Sequence, residues 1–215
     1  MEIPNLADKW TSGVNEVTLG ATKEQGGSRQ QSVYIGGAKS IPFMDFDGNP
    51  GHKPLIAMDV YDTPPDDWNE ALTKPFADVI NDPAMWAKKC VEQYGADLIC
   101  LKLDGIHPDR GNKSTDDAVK VVKSVLAAVG VPLIIWGCEH DEKDNEVMPK
   151  VSDAARGEAC LLGIVTQDNY KRYQHRKTDQ HPCVGNGFSA EQDRDVSIDR
   201  RPRIWLGIHL FDPGA

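Results

Sequence analysis

Four short apolar runs, at residues 55–60, 97–103, 131–136 and 160–165, constrain this chain more than any other feature. Amphipathic helical stretches separate them, and that alternation is the mark of parallel βαβ units. The runs are nearly continuous rather than alternating with polar residues, as strands buried on both faces are. The expected fold class is therefore α/β. A barrel or doubly wound sheet of this kind carries its chemistry at the carboxyl ends of its strands. Four units are too few, so the chain reads as stopping halfway through such a fold, with about four parallel strands.

The segments around the runs divide the chain further. Residues 14–20 and 32–36 hold short alternating runs (Val17 and Leu19, then Val33 and Ile35) on either side of a turn-forming Lys-Glu-Gln-Gly-Gly stretch. They predict an N-terminal β-hairpin, to which residues 42–46 add a third strand. Gly48-Asn49-Pro50-Gly51 marks a border with the α/β part. Asp82 and Pro83 open a helix over 84–94, and Gly95 closes it. Ser114 or Thr115 caps a second helix over 116–128, closed by Gly130. A third, weaker helix is expected over 145–155, interrupted by Pro149. The divisions are a hairpin region over 1–51, a partial barrel over 52–171 and an irregular tail over 172–215.

A formal charge of −9 excludes a nucleic-acid or anionic-membrane surface. No apolar run is long enough to span a bilayer, and residues 1–10 lack the basic and apolar regions of a signal peptide. A cytoplasmic protein with reduced thiols is the expectation, since five cysteines are an odd number.

Residues just after each strand are the candidates for function. They are Asp59 and Tyr61; Lys102, Asp104 and His107; Trp136, Gly137, Cys138, Glu139 and His140; and Thr166, Gln167, Asp168 and Asn169. Many such residues only cap the next helix or line a solvated loop. Cys138, Glu139 and His140 are metal-ligand types, but adjacent loop residues rarely aim at one centre and no CxxC or HxxxH spacing supports them. Cys90, Cys100, Cys138 and Cys160 are too scattered for an iron–sulfur motif. Neither a glycine-rich phosphate loop nor a nucleophile elbow is present. Spacing alone leads to a small-molecule or partner site at a barrel mouth.

At these residues the sequence resembles a known family. The run LTKPFADVINDPAMWAKKCVEQYGADLICLKLDGIHPD, then VPLIIWG, KDNEVMPKVSDAA and LLGIVTQDNY, is similar to the small subunit of the corrinoid iron–sulfur protein. The archaeal counterpart is the delta subunit of the acetyl-CoA decarbonylase/synthase complex. The resemblance runs from EVTLGAT in the hairpin to Tyr170. It implies a TIM barrel that forms a heterodimer with a large subunit carrying the iron–sulfur cluster, with a cobamide shared between the two and no cluster in this chain. It also implies transient partners, a methyl-tetrahydropterin methyltransferase and acetyl-CoA synthase, between which the cobamide carries a methyl group. Lys102, Asp104, Trp136, Gly137, Thr166, Gln167 and Asn169 are then the cofactor-binding candidates, and no residue is catalytic. The competing enzyme reading is a pterin-dependent corrinoid methyltransferase using Asp59, Asp104 and Asn169.

After Tyr170 the resemblance ends. Residues 172–215 are rich in Arg, Asp, Gln and His without an apolar period. Read one nucleotide later, Arg203-Ile204-Trp205-Leu206-Gly207-Ile208-His209 permits GYGLEY, and the shifted frame continues like the next part of such a barrel. The tail thus reads as frame-shifted coding sequence, and a truncated fragment that does not perform the family's function is the alternative reading of the chain as written. Its outermost strands are expected to keep unpaired edges.

Overall fold

The computed structural model describes residues 13–39 and 51–163, together with the backbone of a short strand at Ile208–Leu210. The hairpin is present: β1 (Glu16–Leu19) pairs antiparallel with β2 (Val33–Gly36), with Val17 opposite Ile35. The further strand expected over 42–46 lies outside the described residues.

The α/β part begins with β3 (Leu55–Tyr61). A short helix α1 (Glu70–Thr73), absent from the sequence reading, follows where Asn69 accepts hydrogen bonds from the Ala71 and Leu72 amides. Helix α2 (Pro83–Tyr94) starts as expected, with the Asp82 carboxylate accepting from Ala84 N and Met85 N, and ends at Gly95 in the left-handed region. Next come β4 (Leu98–Lys102), α3 (Thr115–Ala128) and β5 (Leu133–Trp136). Ser114 caps α3, accepting from Asp117 N. Helix α4 (Asp141–Ala154) begins four residues before its expected start. Asp141, Glu142 and Asp144 fill its first turn, where the helix dipole favours acidic groups, and Pro149 is carried inside it. The last strands are β6 (Leu161–Leu162) and β7 (Ile208–Leu210).

Strand order is β6-β5-β4-β3-β7, every pair parallel. From β3 to β6 each new strand joins on the same side. A barrel adds its strands in this way throughout, whereas a doubly wound sheet reverses direction partway; here β7 joins the opposite edge of β3. The helices cover one face, where Trp86, Ala87 and Cys90 of α2, Val122 and Val125 of α3 and Val147, Met148 and Val151 of α4 pack on Val60, Ile99, Leu101, Leu133 and Ile135. On the other, inner face, Leu55, Ala57, Leu98, Cys100, Ile134 and Leu161 pack against Leu19 and Ile35 of the hairpin.

The hairpin sits at the amino ends of the strands. Gly20 N and Ala21 N donate to Ala159 O and Glu158 O before β6, and Gln30 N donates to Gly130 O before β5. Arg29 completes the attachment and corrects the expected ending of α3. The helix closes at Val129 in an extended conformation, and its last carbonyls are satisfied from outside. Arg29 donates to Leu126 O at 2.7 Å and Val129 O at 2.6 Å, and pairs with Glu158 at 2.8 Å. A Cβ at Gly130 would overlap the exposed Gln30 side chain, which would have to swing aside.

The one described stretch of the tail departs from the expected irregularity. Ile208–Leu210 lies parallel along Leu55, Ile56 and Ala57, so the outer edge of β3 is paired there. An open strand edge offers a row of free backbone groups that a short segment can satisfy whatever its side chains.

Candidate functional site

Parallel strands bring their carboxyl ends to one side, and four of the seven predicted site residues are seen there. Lys102 ends β4 and Asp104 follows it; Trp136 ends β5 and Gly137 follows it. Lys102 and Trp136 are register partners, so their side chains share a face. Alternation along each strand makes that the inner face, continuing Cys100 and Ile134. Thr166, Gln167 and Asn169 lie outside the described residues, as does Asp168.

At the centre is an ion pair. Lys102 Nζ lies 2.7 Å from Asp59 Oδ2 and donates to the Tyr61 hydroxyl at 3.2 Å. Asp59 and Tyr61 stand opposite Cys100 and Lys102 in register, so the three groups meet because β3 and β4 pair as they do. The Asp59 side chain is 9 % exposed and that of Lys102 is 26 % exposed. Burial works against the Lys102 ammonium, but the hydrogen bond and charge of Asp59 outweigh it and hold the group above its ordinary range. Tyr61 is raised, chiefly by burial, so its hydroxyl stays protonated. Asp59 Oδ1 is buried with no hydrogen-bond partner among the described residues. Beside it the Cys100 thiol is kept protonated, pushed well up by burial and then by the Asp59 charge.

The surrounding loops are fixed by groups that sequence reasoning did not single out. Asp62, buried directly after β3, accepts from Gly105 N at 2.7 Å, and Lys113 Nζ reaches both its carbonyl and its carboxylate. Its position next to Tyr61 was a usable signal. Asp144 had none: from the first turn of α4 it accepts from Cys138 N at 2.9 Å and Glu139 N at 3.0 Å. Both carboxylates are raised above the ordinary range, chiefly by burial. Gly137 is the residue that Asp144 packs against, and a Cβ there would overlap its carboxylate.

Asp104 forms an ion pair with Arg110 within its own loop. The Trp136 ring lies over Gly163, whose Cβ it would exclude, and its Nε1 makes only a long 3.5 Å contact with Glu139. His107 and His140 meet edge to face at 5.6 Å, each Nδ1 accepting from a backbone amide. Burial pushes the Cys138 thiol up to about 12. Among the described residues no three His, Cys, Asp or Glu side chains converge as metal ligands. A cleft of about 390 Å³ between the starts of α3 and α4, lined by Ser114, Lys143 and Lys150, involves none of the strand-end residues. No described helix is long and apolar enough to cross a membrane.

Comparison with known proteins gives one consistent result. A family model described as the CO dehydrogenase/acetyl-CoA synthase delta subunit matches residues 16–191, continuing past Tyr170, where the resemblance had been read as ending. The delta subunit of the acetyl-CoA decarbonylase/synthase complex from Archaeoglobus fulgidus is 40% identical over 161 residues, 75% of this chain and 35% of that protein. Delta 1 from Methanosarcina thermophila is 37% identical over 161 residues, 75% of this chain and 36% of its own length. The delta subunit from Methanothermobacter thermautotrophicus is 37% identical over 177 residues, 81% of this chain and 45% of its own length. The chain thus spans between about a third and a half of the relatives it matches.

Proposed function

The chain belongs to the family of the CO dehydrogenase/acetyl-CoA synthase delta subunit, and on that premise we propose that it is the small, or delta, subunit of a corrinoid iron–sulfur protein. In this reading it is a TIM-barrel subunit of the cytoplasm that pairs with a larger subunit bearing the iron–sulfur cluster. The two hold a cobamide between them. They serve the acetyl-CoA pathway, meeting a methyl-tetrahydropterin methyltransferase and acetyl-CoA synthase in turn. The bound cobamide would supply a cobalt that accepts the methyl group and gives it up again. The chain itself is a carrier subunit with no catalytic residue.

The observation that carries the reading is the donor set on the inner face at the strand ends. A corrinoid is a broad apolar ring rimmed with amide groups, and orienting it takes a few placed donors on a largely apolar wall. Lys102 keeps one N–H beyond those directed at Asp59 and Tyr61. Among the described residues Trp136 Nε1 makes no bond shorter than its 3.5 Å contact with Glu139. Both suit amide carbonyl oxygens. Lys102, Asp104, Trp136 and Gly137 would hold the group, with Thr166, Gln167 and Asn169 contributing from the stretch after β6. The rival methyltransferase reading calls on Asp59, whose carboxylate is already held by Lys102.

The test is corrinoid retention by the complex with the large subunit, followed by visible absorbance. Trp136→Phe keeps a ring beside Gly163 and removes the N–H, and about fivefold weaker retention is expected for one hydrogen bond. Lys102→Ala removes a charged donor, and a loss of about tenfold or more is expected. An isolated chain that binds methyl-tetrahydrofolate and demethylates it unaided would establish the methyltransferase instead.

A further inference from the structure

We propose that Asp59 is a positioning residue: it holds the Lys102 ammonium, charged and aimed, at the carboxyl end of β4 to receive amide carbonyl oxygens of a corrinoid rim. This rests on the functional reading above and adds to it a residue that does not itself touch the cofactor.

The geometry has three parts. Asp59 is one pleat deeper on the inner face than Lys102, opposite Cys100, and its Oδ2 meets Nζ at 2.7 Å. Tyr61, level with Lys102, gives its hydroxyl oxygen to the same ammonium at 3.2 Å and its ring face at 5.2 Å. These contacts take two of the three N–H donors of the ammonium and leave one without a partner among the described residues. The other polar group recorded against the buried Asp59 carboxylate is the Cys100 thiol, a weak donor beside the Lys102 ammonium. A half-covered lysine without such a partner would shed its proton more readily.

Among the described residues the groups facing Lys102 are few. From β3 they are Asp59 and Tyr61, and from its own strand Cys100. Asp104 follows on the next loop, neutralised by Arg110. From β5 the neighbour is Trp136, which does not titrate. Of these only Asp59 places a full negative charge against Nζ.

The experiment has two readings. On the ligand-free chain, ¹³Cε-labelled lysine NMR follows Lys102 with pH, assigned with Lys102→Arg. In the wild type Lys102 is expected to remain protonated past the ordinary lysine value of about 10.4. In Asp59→Asn it is expected to titrate more than one pH unit lower than in the wild type. An unchanged titration in Asp59→Asn overturns the proposal.

On the complex with the large subunit, quenching of tryptophan emission by added cyanocobalamin gives a binding constant at each pH. Wild-type binding is expected to be flat from pH 7 to 10. Asp59→Asn binding is expected to weaken as pH rises toward 10, and Asp59→Asn with Lys102→Arg to be flat again, because a guanidinium stays charged. A flat profile for Asp59→Asn alone, or a falling one for the double variant, overturns the proposal. Absence of binding by the wild type overturns the corrinoid reading itself, and the NMR titration then still decides whether Asp59 governs Lys102. If Asp59→Asn does not fold, Asp59→Glu serves: charge is kept but the ammonium is displaced, and weaker binding at every pH is expected. Unchanged binding by Asp59→Glu overturns the aiming role.

Discussion

A side chain at residue 137 would occupy the place that the Asp144 carboxylate already fills. The chain turns out of β5 directly over the first turn of α4, and Asp144 fastens that turn through the amides of Cys138 and Glu139. Gly137→Ala must therefore push aside a buried carboxylate with two hydrogen bonds. Overpacking of this kind costs about 2 kcal/mol, and urea denaturation should show the lowered midpoint. Asp144→Ala, which leaves two amides unsatisfied, should be no milder.

Removing Arg29 should do more damage than any exposed change in the hairpin. Its guanidinium is buried and joins the hairpin to Glu158 and to the last carbonyls of α3. Breaking one side of a buried ion pair costs roughly 3–5 kcal/mol. Arg29→Ala should lose that much, and Arg29→Lys should recover only part, since a single ammonium cannot span the same oxygens. Thermal unfolding followed by circular dichroism measures both.

The buried Asp62 sets a pH dependence whose sign is opposite to that of a paired surface carboxylate. Burial raises its pKa in the folded state despite Lys113. The folded chain then binds more protons than the unfolded one between the ordinary value, about 3.9, and the raised value. This contribution is fully present below the unfolded pKa and is lost as pH rises through the folded one. The stability difference between wild type and Asp62→Asn should accordingly shift against the wild type as pH rises through that window. A difference that moves the other way would show that Lys113 dominates.

Thiol chemistry offers a direct check on the core. Cys90, Cys100, Cys138 and Cys160 are all buried, and burial pushes Cys90 and Cys138 up to about 12. Only a thiolate reacts readily. Iodoacetamide at pH 8 should leave all four unmodified in the native chain, as peptide mass spectrometry would show, and label them after denaturation.

Much of the fold was legible because its signals are local. Asp82 with Pro83, and Ser114, act on amides two or three residues away, so sequence displays both donor and acceptor. The parallel strands announced themselves through burial on both faces. Arg29 was silent because its acceptors lie about a hundred residues further along the chain, and Asp144 because Pro149 drew attention away from the true start of α4. At the site, strand-end position located Lys102 and Trp136, but the carboxylate that governs Lys102 becomes its neighbour only when β3 and β4 come into register.

The hairpin under the strands has a consequence for traffic. Leu19 and Ile35 plug the amino end of the inner face, so Lys102 and Trp136 are approached from the carboxyl side. The hairpin is thus a floor beneath the strand ends, and a ligand held at Lys102 and Trp136 would rest above it without touching the amino ends of the strands.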